Sequence, residues 1–379
     1  MNHVARSSAI DDGALRALSR TFAADAARVD REARFPATNV ARLREAGLLG
    51  LTVPERYGGL GGGLLDVTRV LGVVAEGCAS TSLILAMHLF KLAGLTRTDL
   101  LSESVQARLA TEAVRDGALI NTLRVEPELG SPSRGGLPAT VLQRTPDGWT
   151  LSGHKVFATG APGLRWMDVW ARHGDEVGHV LVRADTPGIR IVETWDHIGM
   201  RATCSHDVVF TDVPVEHDYI ALKAPTEWLP ADPAQMAWNA TGIGAIYTGI
   251  ARAARDWVVD FLRHRVPAGL GAPLATLPRA QEKVGEIEML LSANARLIAF
   301  IATETDYRGP PTANESALIK ALVTENAVRA VEVAASLAGN HAHARANPIE
   351  RHIRDVRSGR VQAPQADAAF VTAGRAVLL

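Results

Sequence analysis

Three stretches carry residue types that could move a proton or hold a ligand. "LAMHLF" sets His88 in an otherwise apolar segment, "NHAHA" places His341 and His343 two apart, and "RDVRSGRVQAPQAD" runs from Arg354 to Asp367. An imidazole titrates near neutral pH, so His88 and His343 are candidate catalytic groups. The rival reading of His88 is a core histidine bonded to a backbone carbonyl. The His-x-His pair is not read as a metal site, because only strand geometry would aim both rings one way and no third ligand is evident. The two cysteines, Cys78 and Cys204, form no CxxC pair. That argues against zinc and against a disulfide framework, and it suits a reducing cytoplasm. In the last stretch Gln362, Ala363 and Pro364 do not titrate, and Asp367 lies about one helical turn further on, beyond the proline.

The elements that must position these residues follow from texture. A chain of 379 residues is long enough for two or three domains. Net charge is −1, with 21% charged residues of both signs, so no global field favours nucleic acid or an anionic membrane. The N-terminus has no apolar signal core, and no apolar run reaches the ~18 residues of a membrane span. The expected location is the cytoplasm. Residues 12–115 read as helical, and "ATNVARLREAGLLGL" places Val40, Leu43, Ala46 and Leu48 near one helix face. From about Ala118 to Leu222, β-branched runs alternate with turn signals, the pattern of a small barrel or sandwich. Helices return after Pro233 as three long amphipathic segments and a shorter fourth, which is bundle patterning. The expected domains are residues 1–117 (helical), 118–230 (β) and 231–379 (a helical bundle). In "GPPTANES", Thr312 or Asn314 is the expected helix cap.

This order, helices, then a β-domain, then a four-helix bundle, resembles the acyl-CoA dehydrogenase superfamily. The match is carried by "FPATNVARLREAGLLGLTVPERYGGLGG" (35–62), "EPELGS" (126–131), "GWTLSGHKVFATGA" (148–161), "IGMRATCSHDVVFTDVPV" (198–215) and "IERHIRDVR" (349–357). The resemblance implies that fold, mainly α with a central β-domain, and a flavin cofactor, FAD rather than FMN. It implies that Phe157 lies against the isoalloxazine ring, that Thr159 serves N5, and that Asn121, Thr122 and Leu123 line the pyrimidine side. It also implies that Arg265 reaches the flavin of a neighbouring subunit, with Gly339 and Asn340 in a loop at its adenosine half. A homotetramer built through the C-terminal bundle is expected, since one chain would leave part of the apolar faces of 241–262 and 316–338 uncovered.

The same resemblance exposes what is missing. The family's catalytic glutamate position falls on Ala363, and the alternative position falls near Asn239, in a stretch from Pro233 to Arg255 without Asp or Glu. Deprotonating a thioester α-carbon needs a positioned base. The sequence is closer in this respect to the flavin monooxygenase branch, which includes dibenzothiophene monooxygenase and amino-sugar nitrososynthases. Those enzymes take reduced flavin from a separate reductase, and no NAD(P)H-binding GxGxxG occurs here. Gln362 is then a candidate hydrogen-bond donor to substrate. The alternatives are a dehydrogenase with a relocated base and a non-catalytic flavoprotein. His206 is read as structural, and Arg351 and His352 as surface or inter-subunit contacts.

Overall fold

The computed structural model describes residues 10–129, 136–228 and 231–379. Five helices come first: α1 (Asp12–Glu32), α2 (Ala37–Glu45), α3 (Leu64–Gly77), α4 (Ala79–Leu95) and α5 (Glu103–Asp116). The side chains of α4 are buried almost all round, as its unbroken apolar sequence requires. The α2 region departs from the sequence reading. The helix stops at Glu45, because Gly47 takes φ +72° and turns the chain before Leu48, so Ala46 and Leu48 are not on its face.

The strands are β1 (Leu119–Leu123), β2 (Val141–Thr145), β3 (Gly148–Ala158), β4 (Leu164–His173), β5 (Glu176–Arg183), β6 (Ile189–Val192), β7 (His206–Val215) and β8 (Ile220–Lys223). They form one sheet in the order β6-β7-β3-β2-β4-β5-β8, with β1 pairing parallel to β4. The parallel pair sets Asn121 beside Met167 and Thr122 beside Asp168.

The C-terminal part is α6 (Pro233–His264), α7 (Pro278–Tyr307), α8 (Ala313–Ala338), α9 (Pro348–Val356) and α10 (Ala366–Leu378). Asp232 caps α6 ahead of Pro233, and Thr312 Oγ1 caps α8 by accepting from Glu315 N at 3.1 Å. The expected fourth helix is two short ones, broken across residues 357–365. At the crossing of α3 and α6 the backbones nearly touch: a Cβ on Gly249 would lie 2.3 Å from the Gly72 carbonyl oxygen. No helix among the described residues is long and apolar enough to cross a membrane.

Candidate active site

Strand β3 ends in an unusual backbone. Phe157 has φ +58°, a region an aromatic residue seldom enters, yet its side chain is 55% exposed. Holding it there costs roughly 1–3 kcal/mol. The surroundings impose the turn. Thr159 N donates to Phe157 O at 2.9 Å and Gly160 N donates to Thr203 O at 2.8 Å. Asn121 Nδ2 donates to Thr159 O at 3.0 Å. The ring is thereby held outward on a fixed backbone.

Phe157 borders a cavity of about 330 Å³, walled also by Val125, Pro127, Trp195, His197 and Ser205. Trp195 and His197 stack with centroids 3.6 Å apart, and Phe157 meets each edge-on at 6.2 Å. Partial burial pushes the His197 imidazole below its usual range, against the opposing pull of Asp196. Thr159 Oγ1 lies 3.0 Å from Ser205 Oγ, which lies 2.8 Å from Thr203 Oγ1. An exposed aromatic held outward at a conformational cost, an aromatic-walled cavity and a half-buried Thr159 hydroxyl bonded to Ser205 in its wall suit a planar heteroaromatic cofactor.

The strand expected to serve the pyrimidine side has its side chains engaged elsewhere. Asn121 holds Thr159, the Thr122 hydroxyl donates to Asp168 Oδ2 at 2.9 Å, and Leu123 is core at 2% exposure. Asn121 therefore positions Thr159, and Thr122 belongs to a buried polar cluster. "EPELGS" lies partly outside the described residues, at Gly130 and Ser131.

His88 is a strut. It is 1% exposed; Nδ1 accepts from Ile120 N at 3.2 Å, so the other nitrogen, Nε2, donates to Leu49 O at 2.9 Å. Burial pushes its pKa down to about 4, with the Leu49 carbonyl opposing. With both nitrogens bound to backbone and no charge near neutral pH, the expected role as a proton donor does not match this geometry.

Arg265, Gly339, Asn340 and His343 are exposed at one end of the bundle. Arg265 closes α6, and Gly339, at φ +56°, ends α8. The His341 ring rests 5.1 Å from Phe261, which ties the 339–343 turn to the end of α6. Ala342 between the two histidines is buried while both of them are exposed. Among the described residues, no hydrogen bond, ion pair or ring contact joins this group to Phe157 or Thr159.

Gln362 lies in the break between α9 and α10. Its backbone carbonyl accepts from Lys320 Nζ at 2.7 Å, and its side-chain Oε1 is buried without a hydrogen-bond partner. Ala363 is exposed, and Asn239 Oδ1 accepts from Gln235 Nε2 at 3.0 Å. Neither position presents a carboxylate. Asp367 sits in the first turn of α10.

Arg351 and His352, read from sequence as surface or inter-subunit contacts, are buried within the chain at 9% and 5% exposure. Burial, with Arg351 and Arg354 adding to it, pushes the His352 pKa down to about 3. His206 is structural: its Nδ1 accepts from Thr194 N and Trp195 N, fixing the loop that carries Trp195.

Three buried charged groups went unread in the sequence. Lys155 Nζ meets Glu126 Oε1 at 2.7 Å, with both side chains nearly inaccessible. Burial raises the Glu126 carboxyl, but Lys155, Thr140 and the Ala139 N–H outweigh it, and the net shift is downward. Asp168, at 0% exposure, is held by Lys91 at 2.6 Å and His179 at 2.8 Å, under the Trp170 side of the sheet. Lys320 donates from α8 to Gly359 O as well as to Gln362 O. For Lys91, Asp168 and Lys320 the available signal was one charged residue inside an apolar run; Glu126 and Lys155 lie among polar neighbours and give no such signal.

Comparison with known proteins agrees with this architecture. Models of the acyl-CoA dehydrogenase N-terminal, middle and C-terminal domains match residues 6–98, 124–213 and 241–363. YdbM of Bacillus subtilis, described provisionally as an acyl-CoA dehydrogenase, is 36% identical over 92% of this chain and 91% of its own. L-evernosamine nitrososynthase of a Micromonospora species is 32% identical over 94% of this chain and 87% of its own. Butyryl-CoA dehydrogenase of Megasphaera elsdenii superposes with a TM-score of 0.87 over 98% of this chain and 99% of its own, at 21% identity. With its three domains in order and relatives of this identity along nearly its whole length, the chain belongs to the acyl-CoA dehydrogenase family.

Proposed function

We propose that this family member is a flavin-dependent monooxygenase, transferring one atom of O2 to nitrogen or sulfur of a small metabolite. The observation that carries this reading is the lack of a carboxylate at Asn239 and at Ala363, the latter following a turn that Lys320 holds in place. Neither position offers a group to take the α-proton in the α,β-dehydrogenation of a thioester. The nitrososynthase relative supplies the precedent for nitrogen oxygenation within the family.

Phe157 would form the wall under the isoalloxazine, with Thr159 at its N5 edge and Trp195 and His197 closing the cavity. Reduced flavin, when bound, supplies the two electrons that split O2 between product and water. The chain's own part is to hold the ring, orient the substrate and exclude water. Gln362, expected from sequence to donate to the substrate, has instead a buried amide oxygen without a partner, and it would accept from a substrate N–H or O–H. Arg265, Gly339 and Asn340 lie apart from Phe157 and would serve the diphosphate and adenosine of a neighbouring copy's flavin, which favours FAD and a tetramer. Exposed Met289 and Phe300 on α7 and Leu322 on α8 are apolar surface for such an assembly. Electrons would come from a separate flavin reductase.

The test offers the protein short, medium and branched acyl-CoAs with an artificial electron acceptor. Amines and thioethers with reduced flavin and O2 form the second arm. Oxygenation in the second arm alone is the expected result. Thioester oxidation at ~1–10³ per second would restore the dehydrogenase reading.

A further inference from the structure

The hydroxyls behind Phe157 form a chain whose direction is fixed. Each Ser or Thr hydroxyl has one proton to give. Thr203 Oγ1 donates to the Met200 carbonyl at 2.9 Å, since a carbonyl only accepts; it is the shortest of three contacts on that oxygen, which also takes Thr203 N and Trp195 Nε1 at 3.1 Å. Its proton is spent, so in the 2.8 Å contact with Ser205 the proton comes from Ser205. Ser205 is then spent as well, so in the 3.0 Å contact Thr159 is the donor. Thr203 is 0% and Ser205 3% exposed, so solvent has little access to reverse the order. The Thr159 backbone is locked on both sides, through Phe157 O and Asn121 Nδ2. What half-buried Thr159 has left to offer outward is oxygen lone pairs.

An oxidised isoalloxazine has at N5 a lone pair and no hydrogen. The two-electron-reduced ring carries N5–H there. A lone pair facing a lone pair repels, and a lone pair facing N–H makes a hydrogen bond. We propose that the chain Thr159–Ser205–Thr203–Met200 makes Thr159 an obligate acceptor, so that this site selects reduced flavin over oxidised flavin. The inference rests on the flavin placement proposed above, with N5 at Thr159. Ser205 and Thr203 act through Thr159 and are positioning residues. A site of this polarity suits a protein that receives its flavin already reduced and lets it go after oxidation.

The experiment measures dissociation constants of the full-length protein for FMN and FAD, oxidised and anaerobically photoreduced, together with the midpoint potential of the bound flavin. The wild type is expected to bind the reduced form about tenfold more tightly, the size of one hydrogen bond. Ser205→Ala frees the Thr159 proton to turn outward. Thr203→Val removes the anchor on Met200 O and lets Ser205 reverse. Each is expected to cut the reduced-to-oxidised preference about tenfold, lowering the potential by about 30 mV for a two-electron couple. Thr203→Ser is expected to restore wild-type behaviour. 5-Deaza-FMN, which has carbon at that position, is expected to show no redox preference with the wild type, a check that needs no variant. An unchanged ratio in Ser205→Ala and Thr203→Val, with flavin still bound, overturns the polarity argument alone. Failure of the wild type to bind any flavin in either state overturns the flavin reading itself and this inference with it.

Discussion

Lys320 Nζ lies 2.7 Å from the carbonyl oxygen of Gln362, the residue before Ala363. The same ammonium donates to Gly359 O at 2.7 Å. One buried cation on α8 therefore grips both ends of the turn that leads to the empty base position. Gly359 admits this close approach, since a Cβ there would lie 2.9 Å from Cδ2 of buried Tyr247. The segment remains anchored although it carries no carboxylate.

Replacing Lys320 with Met is expected to destabilise the protein by ~2–4 kcal/mol, because two carbonyls lose charge-assisted donors. Burial pushes the Lys320 pKa down to about 8 from 10.5. The folded-state value is the lower one, so between those limits the unfolded chain binds more protons and this group's contribution to stability rises with pH. Denaturant melts between pH 7 and 10.5 should show that rise in the wild type and its loss in Lys320→Met.

Phe157→Gly separates folding from binding. The residue is largely exposed at φ +58°, so glycine relieves strain and opens no core cavity. Stability of the flavin-free protein is expected to stay level or rise. Flavin affinity is expected to fall by ~1–3 kcal/mol, the stacking and burial of a large side chain. Thermal melts with and without flavin give both quantities.

The Glu126–Lys155 pair joins the start of the 126–129 loop to β3, next to Phe157. Lys155→Met should cost ~3 kcal/mol, since it leaves a buried carboxylate with only Thr140 and Ala139 as donors. Adding Glu126→Gln should recover part of the loss. A double-mutant cycle in urea measures the coupling, and additive losses would contradict a direct interaction.

His88 gives a pH signature. Its folded-state pKa is about 4, against 6.5 for a free imidazole. From pH 6.5 down to 4 the unfolded chain takes up a proton that folded His88 refuses, so stability falls over that window and its contribution levels off below it. His88→Gln should flatten part of the slope, while buried His352 keeps the remainder.

Much of the fold was written in local pattern. The small-residue apolar run of α4, the β-branched runs between turn signals and the long amphipathic segments after Pro233 declare themselves because burial imposes a period on residue type. Phe157 and Thr159 were legible as a motif, and the alanine at 363 as a gap in one. Tertiary structure decided what each polar side chain does. His88 is a strut because Leu49 O and Ile120 N, far away in sequence, converge on its ring. Thr122 answers to Asp168 because β1 runs parallel to β4 in that register. Thr159 acquires a direction for its proton only through Ser205, Thr203 and the Met200 carbonyl, some 40 residues further along the chain. Pattern reports whether a residue is inside; only the folded chain chooses its partner, and for a polar group the partner sets charge, tautomer and donor direction.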